Sequence, residues 1–322
     1  MRALCVALAV AIAATTGMEG AAPAQARSSL EPLRAIVAPA GNDARVIALG
    51  RRLFHDPILS RDRDVSCASC HPLATGGSDN LPRSIGTAGA KGDVNAPTVF
   101  NSFLNVAQFW DGRAPDLPTQ VDGPLTNPVE MAADWPMVLT RLNASDYRQE
   151  FLSIFGEGPT PALVRQVIAA FERSLATTGS RFDRWLGGDD GALTEDETRG
   201  YALFKSYGCA SCHQGAAVGG NMFQKFGFFG NPFEERGQTL AADLGRFNVT
   251  GRESDRYVFK VPSLRLAVWT PPYFHDGSVA DLREAIAMMG RYQLGRDIPP
   301  AEIDLIVAFL ATLADPQRLE GR

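Results

Sequence analysis

The chain has 322 residues, of which 45% are hydrophobic and 21% are charged, and its formal net charge is −5. This length and composition predict a soluble globular protein with two domains rather than one. Acidic and basic side chains are interspersed and form no basic run, which argues against nucleic acid as a partner.

The first 26 residues predict a cleaved secretory signal peptide. Arg2 gives a positive start, residues 4–14 are apolar, and residues 24–26 (Ala-Gln-Ala) have the small-x-small pattern of a cleavage site. The apolar stretch of about 11 residues is much shorter than the roughly 20 that cross a bilayer, and no later segment is long and apolar enough. We therefore predict an exported protein without a membrane span, which loses Cys5 together with the peptide.

Helical spacing of apolar side chains predicts the main helices in chain order. One covers about 43–54, and another follows Pro161. A third begins at Thr194, where Glu197 three residues later completes a capping box. The last follows residues 299–300, which are both proline. Strand signals are scarce, so the sequence predicts an all-α fold.

Long irregular stretches separate these helices. Residues 72–136 are rich in Gly, Pro, Asn and Asp, and residues 214–256 are rich in Gly. So long an irregular stretch in a compact domain is usually functional. The Gly/Asp segment at 187–191 marks a boundary. It divides the mature chain into predicted domains at 27–186 and 187–322.

Residues 67–71 and 209–213 both read Cys-Ala-Ser-Cys-His. This is the attachment signature of c-type haem, in which two thiols add to the vinyl groups and the histidine becomes the proximal iron ligand. The predicted attachment and ligand residues are Cys67, Cys70, His71, Cys209, Cys212 and His213.

Other uses of the four cysteines fit less well. An exported protein by default forms disulfides, a redox dithiol needs a βαβ setting, and paired zinc ligands usually lie about 15–20 residues apart. Here the pairs lie in different halves of the chain and histidine follows both. A haem with two strong protein ligands passes electrons, whereas one with an open face binds a small molecule. His55, His275 and seven methionines remain as sixth-ligand candidates.

Further motifs occur in a characteristic order along the mature chain. They are 66–80 (SCASCHPLATGGSDN), 95–101 (NAPTVFN), 108–120 (QFWDGRAPDLPTQ), 123–131 (GPLTNPVEM), 209–220 (CASCHQGAAVGG), 257–264 (YVFKVPSL), 272–277 (PYFHDG) and 288–295 (MMGRYQLG). In these stretches the chain resembles the bacterial dihaem cytochrome c peroxidases, a family that includes the tryptophan-modifying enzyme MauG. The resemblance implies two cytochrome c-like haem domains, with peroxide at the N-terminal haem and electron relay at the C-terminal haem.

The resemblance also assigns roles to single residues. Met289 matches the axial ligand of the relay haem, where MauG-like members have tyrosine. Glu130 matches the distal acid–base group of the family. Peroxide chemistry needs such a group, because heterolytic O–O cleavage requires a proton to move from one peroxide oxygen to the other. Gln120 matches a polar residue that hydrogen-bonds bound peroxide.

Other matches lie between the haems. Trp110 matches the aromatic residue between them, and His275 matches a residue near the haems that is not a ligand. Asn95, Thr270 and Pro272 match positions that bind an interdomain calcium ion through oxygen atoms.

Thr87 is the main departure from the family pattern. In reductively activated members, the loop after residues 84–86 (Ser-Ile-Gly) carries a histidine that closes the peroxide haem. Threonine is a poor iron ligand, and no histidine occurs in 72–212. We therefore expect a five-coordinate or water-bound N-terminal haem in the resting oxidised enzyme. His55 is the first candidate ligand if both haems are low-spin.

The function predicted from the resemblance is a periplasmic cytochrome c peroxidase. It would reduce hydrogen peroxide to water with electrons from a small c-type cytochrome or cupredoxin, and would form a homodimer. The alternatives are a MauG-like enzyme that oxidises a tryptophan of a partner protein, and a dihaem electron carrier without catalysis.

Overall fold

The structure is a computed structural model that describes residues 30–41 and 43–314. The predicted signal peptide lies outside the described residues. The α-helices are α1 (Ala44–His55), α2 (Cys67–Cys70), α3 (Leu117–Gln120), α4 (Asp122–Thr126), α5 (Trp135–Asn143), α6 (Tyr147–Phe155), α7 (Pro161–Ser174), α8 (Arg181–Leu186), α9 (Glu195–Ser206), α10 (Pro232–Glu235), α11 (Phe247–Thr250), α12 (Leu282–Met288) and α13 (Pro300–Leu310). The strands are β1 (Phe223–Lys225) and β2 (Val258–Lys260).

Local sequence signals explain where the longer helices begin. The Thr160 hydroxyl accepts a hydrogen bond from the amide of Leu163 at 3.2 Å, and a proline occupies the first turn of α7. At α9 both bonds of the predicted capping box form, between Thr194 and Glu197, at 3.3 and 2.8 Å. The four helices predicted from periodicity are therefore confirmed, as is the scarcity of strand.

The same helix crossing occurs twice. Gly50 of α1 lies so close to the carbonyl of Val167 on α7 that a β-carbon would collide with it. Gly200 of α9 meets the carbonyl of Leu305 on α13 in the same way. Glycine at each crossing lets two backbones touch. Each Cys-Ala-Ser-Cys-His motif thus belongs to a similar helical unit.

Apolar residues form a separate core around each crossing. The first includes Leu53, Val138 and Phe151. The second includes Tyr201 and Phe309. We call the residues that pack around the first core the first lobe, and those that pack around the second core the second lobe.

Three buried residues of the second core come from the first predicted domain. They are Leu33, Phe182 and Leu186. By side-chain packing these three residues belong with the second core, although they precede residue 187 in the chain. The domain boundary near 187 stays a prediction.

Arg265 connects distant parts of the second lobe. Its guanidinium is fully buried and forms an ion pair with Asp183 at 2.8 Å. Its other hydrogen-bond acceptors are the carbonyls of Arg34, Ala216 and Leu313 and the hydroxyl of Ser180. A planar group with five donors suits such a site, because it satisfies several separated acceptors at once.

The sheet consists of β1 and β2 alone within the described ranges. They pair antiparallel, with Phe223 opposite Lys260 and Lys225 opposite Val258. Across 30–41 and 43–314, no helix combines the length and apolarity needed to cross a membrane.

Candidate functional site

One cavity in the first lobe brings the first cysteine pair together with the predicted distal residues. It has a volume of about 60 Å³ and we call it the N-terminal cavity. The functional side chains that line it are Cys67, Cys70, His71, Gln120, Glu130 and Glu172. Both thiols are free. The predicted attachment residues and the predicted distal residues thus face the same space.

His71 has the hydrogen bond expected of a haem ligand. Its Nδ1 lies 3.0 Å from the carbonyl oxygen of Gly77, so Nδ1 donates and Nε2 keeps its lone pair. Burial lowers the pKa of His71, which favours the neutral ring. The pair of free thiols and this oriented imidazole fit covalent haem.

Glu130 lies in a setting that favours its protonated form. Burial raises the pKa of its carboxyl, against the opposing hydrogen bond from Asn127 and the charge of Arg113. The Asn127 amide donates to Oε1 at 2.6 Å and so orients the carboxyl. Gln120, at the end of α3, also lines this cavity, and no described residue hydrogen-bonds its side-chain amide.

Thr87 does not line the N-terminal cavity. It is 1% exposed, and its hydroxyl bonds the carboxylates of Asp64 and Asp62 at 2.8 and 3.0 Å. The amide of Ala88 also donates to Asp64, at 2.8 Å. The side chain is therefore fixed away from the cavity.

The backbone of the same loop packs on Glu130. The amide of Thr87 donates to the carbonyl of Glu130 at 2.7 Å. Gly86 lines the cavity, and a β-carbon there would collide with the carbonyls of Val129 and Glu130. Glycine at this position permits the close approach.

The structure does not bring His55 to either cavity. Its side chain is exposed at the end of α1, where Nδ1 contacts the carbonyl of Arg51 at 2.9 Å.

A second cavity of about 250 Å³ surrounds the other cysteine pair, and we call it the C-terminal cavity. Cys209, Cys212, His213 and Met289 line it, and both thiols are free. Met289 is the first residue of a π-helical segment, Met289–Leu294, that continues α12. Such irregular turns are frequent at functional sites.

His213 is suited to bind iron as a neutral ring. Burial lowers its pKa to about 4, while the nearby backbone of Val218 and Pro262 opposes that shift. Its Nδ1 is buried and makes no well-formed hydrogen bond to any described residue. The free thiols and this neutral imidazole also fit covalent haem.

Trp110 and His275 both line the C-terminal cavity, with their rings edge-to-face at 6.4 Å. The indole of Trp110 donates to the carbonyl of Asn95 at 2.9 Å. His275 is buried, and its Nε2 forms a hydrogen bond with the carboxylate of Asp243 at 2.8 Å. This nitrogen is therefore already engaged. This arrangement agrees with a histidine near the haem that is not a ligand.

The predicted calcium residues also lie together. Asn95, Thr270 and Pro272 all line the C-terminal cavity. The side-chain amide nitrogen of Asn95 donates to the carbonyl of Leu81 at 2.8 Å. The calcium site remains a prediction.

Two buried ionisable residues were missed by the sequence reasoning. Glu172 is 5% exposed on the apolar side of α7, and its Oε2 has no partner among the described residues. Its spacing of four from Ile168 was the available signal. Lys260 is 6% exposed between two apolar neighbours, Phe259 and Val261. A charged residue inside an apolar run was the signal there.

Known proteins show the same combination of motifs and fold. Residues 44–191 match the di-haem cytochrome c peroxidase family. A cytochrome c551 peroxidase of Nitrosomonas europaea is 48% identical over 89% of this chain and 85% of its own. A cytochrome c551 peroxidase of Pseudomonas aeruginosa is 42% identical over 84% of this chain and 78% of its own.

More distant proteins agree. The methylamine utilization protein MauG of Methylorubrum extorquens is 36% identical over 94% of this chain and 91% of its own. The crystal structure of a MauG-like protein associated with microbial copper homeostasis has a TM-score of 0.77 and 29% identity, and covers 90% of this chain and 95% of its own.

These similarities agree with the two thiol pairs and the neutral histidine that follows each of them, and they establish an enzyme rather than a carrier without catalysis. The chain therefore belongs to the di-haem cytochrome c peroxidase family and carries two c-type haems.

Proposed function

We propose that this enzyme reduces hydrogen peroxide at the haem held by Cys67 and Cys70. The observation that carries the proposal is the meeting of Glu130, Gln120 and the first attachment motif in one cavity. When bound there, the haem supplies an iron centre that accepts peroxide oxygen and transfers electrons to it.

The residues of the cavity move and hold protons. Glu130 takes the proton from the nearer peroxide oxygen and returns it to the leaving oxygen. Its partly buried carboxyl suits this exchange, because burial brings its pKa closer to neutrality than that of an exposed glutamate. Gln120 lines the same cavity with a side-chain amide that bonds no described residue, and it would hydrogen-bond the peroxide and orient it.

Electrons would enter through the haem of Cys209 and Cys212. His213 and Met289 line the same cavity and would hold its iron. Trp110 lies at this cavity and would stand between the two haems. The electron donor would be a small c-type cytochrome or a cupredoxin.

We further propose that the N-terminal haem has an open coordination position in the oxidised resting enzyme. The support is the fixed loop: Thr87 cannot bind iron while its hydroxyl bonds Asp62 and Asp64. Reductive activation would then be unnecessary. Periplasmic location, a homodimer, a calcium ion at Asn95, Thr270 and Pro272, and haem domains at 27–186 and 187–322 belong to the same proposal.

A second candidate function is oxidation of a tryptophan of a partner protein, as the resemblance to MauG implies. The anchored Thr87 favours it, because an open haem also suits that reaction. Methionine at 289 favours the peroxidase.

Stopped-flow mixing tests the proposal. The oxidised protein is mixed with hydrogen peroxide and the product is then titrated with reduced cytochrome c. We expect reaction without prior reduction, and consumption of two reduced cytochromes per peroxide, since peroxide takes two electrons. Reaction only after pre-reduction would contradict the open haem. Peroxide reaction without cytochrome oxidation, over several donors, would favour the MauG-like function.

A further inference from the structure

The C-terminal cavity contains a buried positive charge without a negative partner. Lys260, at the end of β2, is 6% exposed and is one of the residues that line this cavity. No described residue accepts a hydrogen bond or forms an ion pair with its ammonium group. No aspartate or glutamate is among the lining residues.

An isolated buried lysine is costly, because burial removes its hydration without replacing it. Burial alone lowers the pKa of Lys260 to about 8, so the ammonium form still predominates at neutral pH. Buried charges in proteins are normally paired. The missing negative charge must therefore come from what fills the cavity.

The backbone holds Lys260 at a fixed place beside the haem-binding residues. Its amide donates to the carbonyl of Trp110 at 2.8 Å, and its strand pairs with β1 across Phe223. Cys209 and Cys212 line the same cavity. The haem that these cysteines attach carries two propionate carboxylates. These can supply the negative charge that the lining residues lack.

We propose that Lys260 binds a propionate of the haem attached through Cys209 and Cys212 and thereby raises the reduction potential of that haem. Reduction adds an electron to the iron, and a nearby cation stabilises the added negative charge. The effect would assist electron entry at this haem. Only this assistance to electron entry rests on the proposed relay function. The ion pair between Lys260 and the propionate requires only that the haem is bound.

Lys225 provides a matched control at the same cavity. It also lines the cavity, but its side chain is exposed. Water and salt screen an exposed charge strongly. Removing Lys225 should therefore change the potential much less than removing Lys260.

The test is a spectroelectrochemical titration of K260M, K260R and K225M as loaded holoproteins, without peroxide or donor. We expect K260M to lower the potential of one haem clearly, K260R to restore most of it, and K225M to leave both potentials near wild type. Equal shifts in K260M and K225M, or no shift in K260M, would overturn the proposal.

Resonance Raman spectra cover the case in which K260M fails to retain haem. The propionate bending band should differ between wild type and K260R, since arginine replaces one ammonium contact with a planar donor. An unchanged band overturns the proposal. Neither measurement needs turnover. If the proposed peroxidase function is wrong, the dependence of the haem potential on Lys260 can still be measured, so the two failures can be told apart.

Discussion

The two haem cavities share an attachment motif but differ in the charges of their lining residues. The N-terminal cavity has the carboxyls of Glu130 and Glu172 and no lysine or arginine. The C-terminal cavity has Lys225 and Lys260 and no carboxyl. Burial raises the pKa values of both carboxyls, which suits proton transfer, whereas nearby cations favour the reduced form of an iron centre. The proposed peroxide reduction would use both kinds of site.

The two lobes also hold their haem-proximal segments differently. In the first lobe, Thr87 joins a loop to Asp62 and Asp64, and these two carboxylates are exposed. In the second lobe, the fully buried Arg265 ties its partners together from inside.

The largest expected effect is on turnover in E130Q. Glutamine keeps the size of the side chain but cannot carry the peroxide proton, so the peroxide reaction should slow by about 10²- to 10⁴-fold. Stopped-flow rates and the spectrum of the C-terminal haem are measured together. E157Q changes an exposed glutamate of the same lobe and is the control. Equal rates in E130Q and E157Q would contradict the role of Glu130.

Removal of Arg265 should affect stability most. R265A leaves the Asp183 carboxylate buried without its partner, which costs about 3–5 kcal/mol. Denaturant unfolding followed at each haem band should show the second lobe weakened first. R265K keeps the charge and should lose less. A loss below about 1 kcal/mol in R265A would show that water replaces the guanidinium.

Burial of Glu172 predicts a pH dependence of stability. Burial raises the pKa of this carboxyl to about 8 from an ordinary 4.5, so the folded state holds the proton more tightly. Its contribution is complete below about 4.5 and is lost as the pH rises through about 8. In E172Q, which cannot ionise, unfolding midpoints should fall less between about pH 5 and 9. If the unfolding midpoints of wild type and E172Q change in parallel with pH, the pKa of Glu172 is not raised in the folded state.

Substitution of Met289 should separate electron entry from peroxide chemistry. M289H replaces a thioether with imidazole, which should lower the potential of the C-terminal haem. Turnover with reduced cytochrome c should then slow, while oxidised protein still reacts with peroxide. M288H is the control, since Met288 directly precedes the proposed ligand and does not line the cavity. A similar potential in both variants would argue against coordination by Met289.

The sequence predicted the parts of this protein that depend on local signals. Caps and apolar spacing located α1, α7, α9 and α13 because both act within one or two helical turns. The haem motifs were equally local. Thr87 illustrates the limit. The sequence shows that threonine is a poor iron ligand, but the bond of its hydroxyl to Asp64 joins residues far apart in sequence and could not be predicted.

Buried charges were harder to predict for the same reason. Glu172 faces a cavity only because α7 crosses α1, and Lys260 is buried only because β2 pairs with β1. Leu33 likewise packs in the second lobe through contacts that no periodicity encodes. Tertiary contacts decide these environments, and single-sequence patterns do not contain them.

Electron paramagnetic resonance of the fully oxidised enzyme tests the contrast between the two cavities most directly. If the N-terminal haem is open and His213 and Met289 hold the C-terminal iron, as proposed, the oxidised enzyme should give one high-spin and one low-spin signal. Two low-spin signals in the resting protein would contradict the proposed division between a substrate-binding haem and an electron-relay haem.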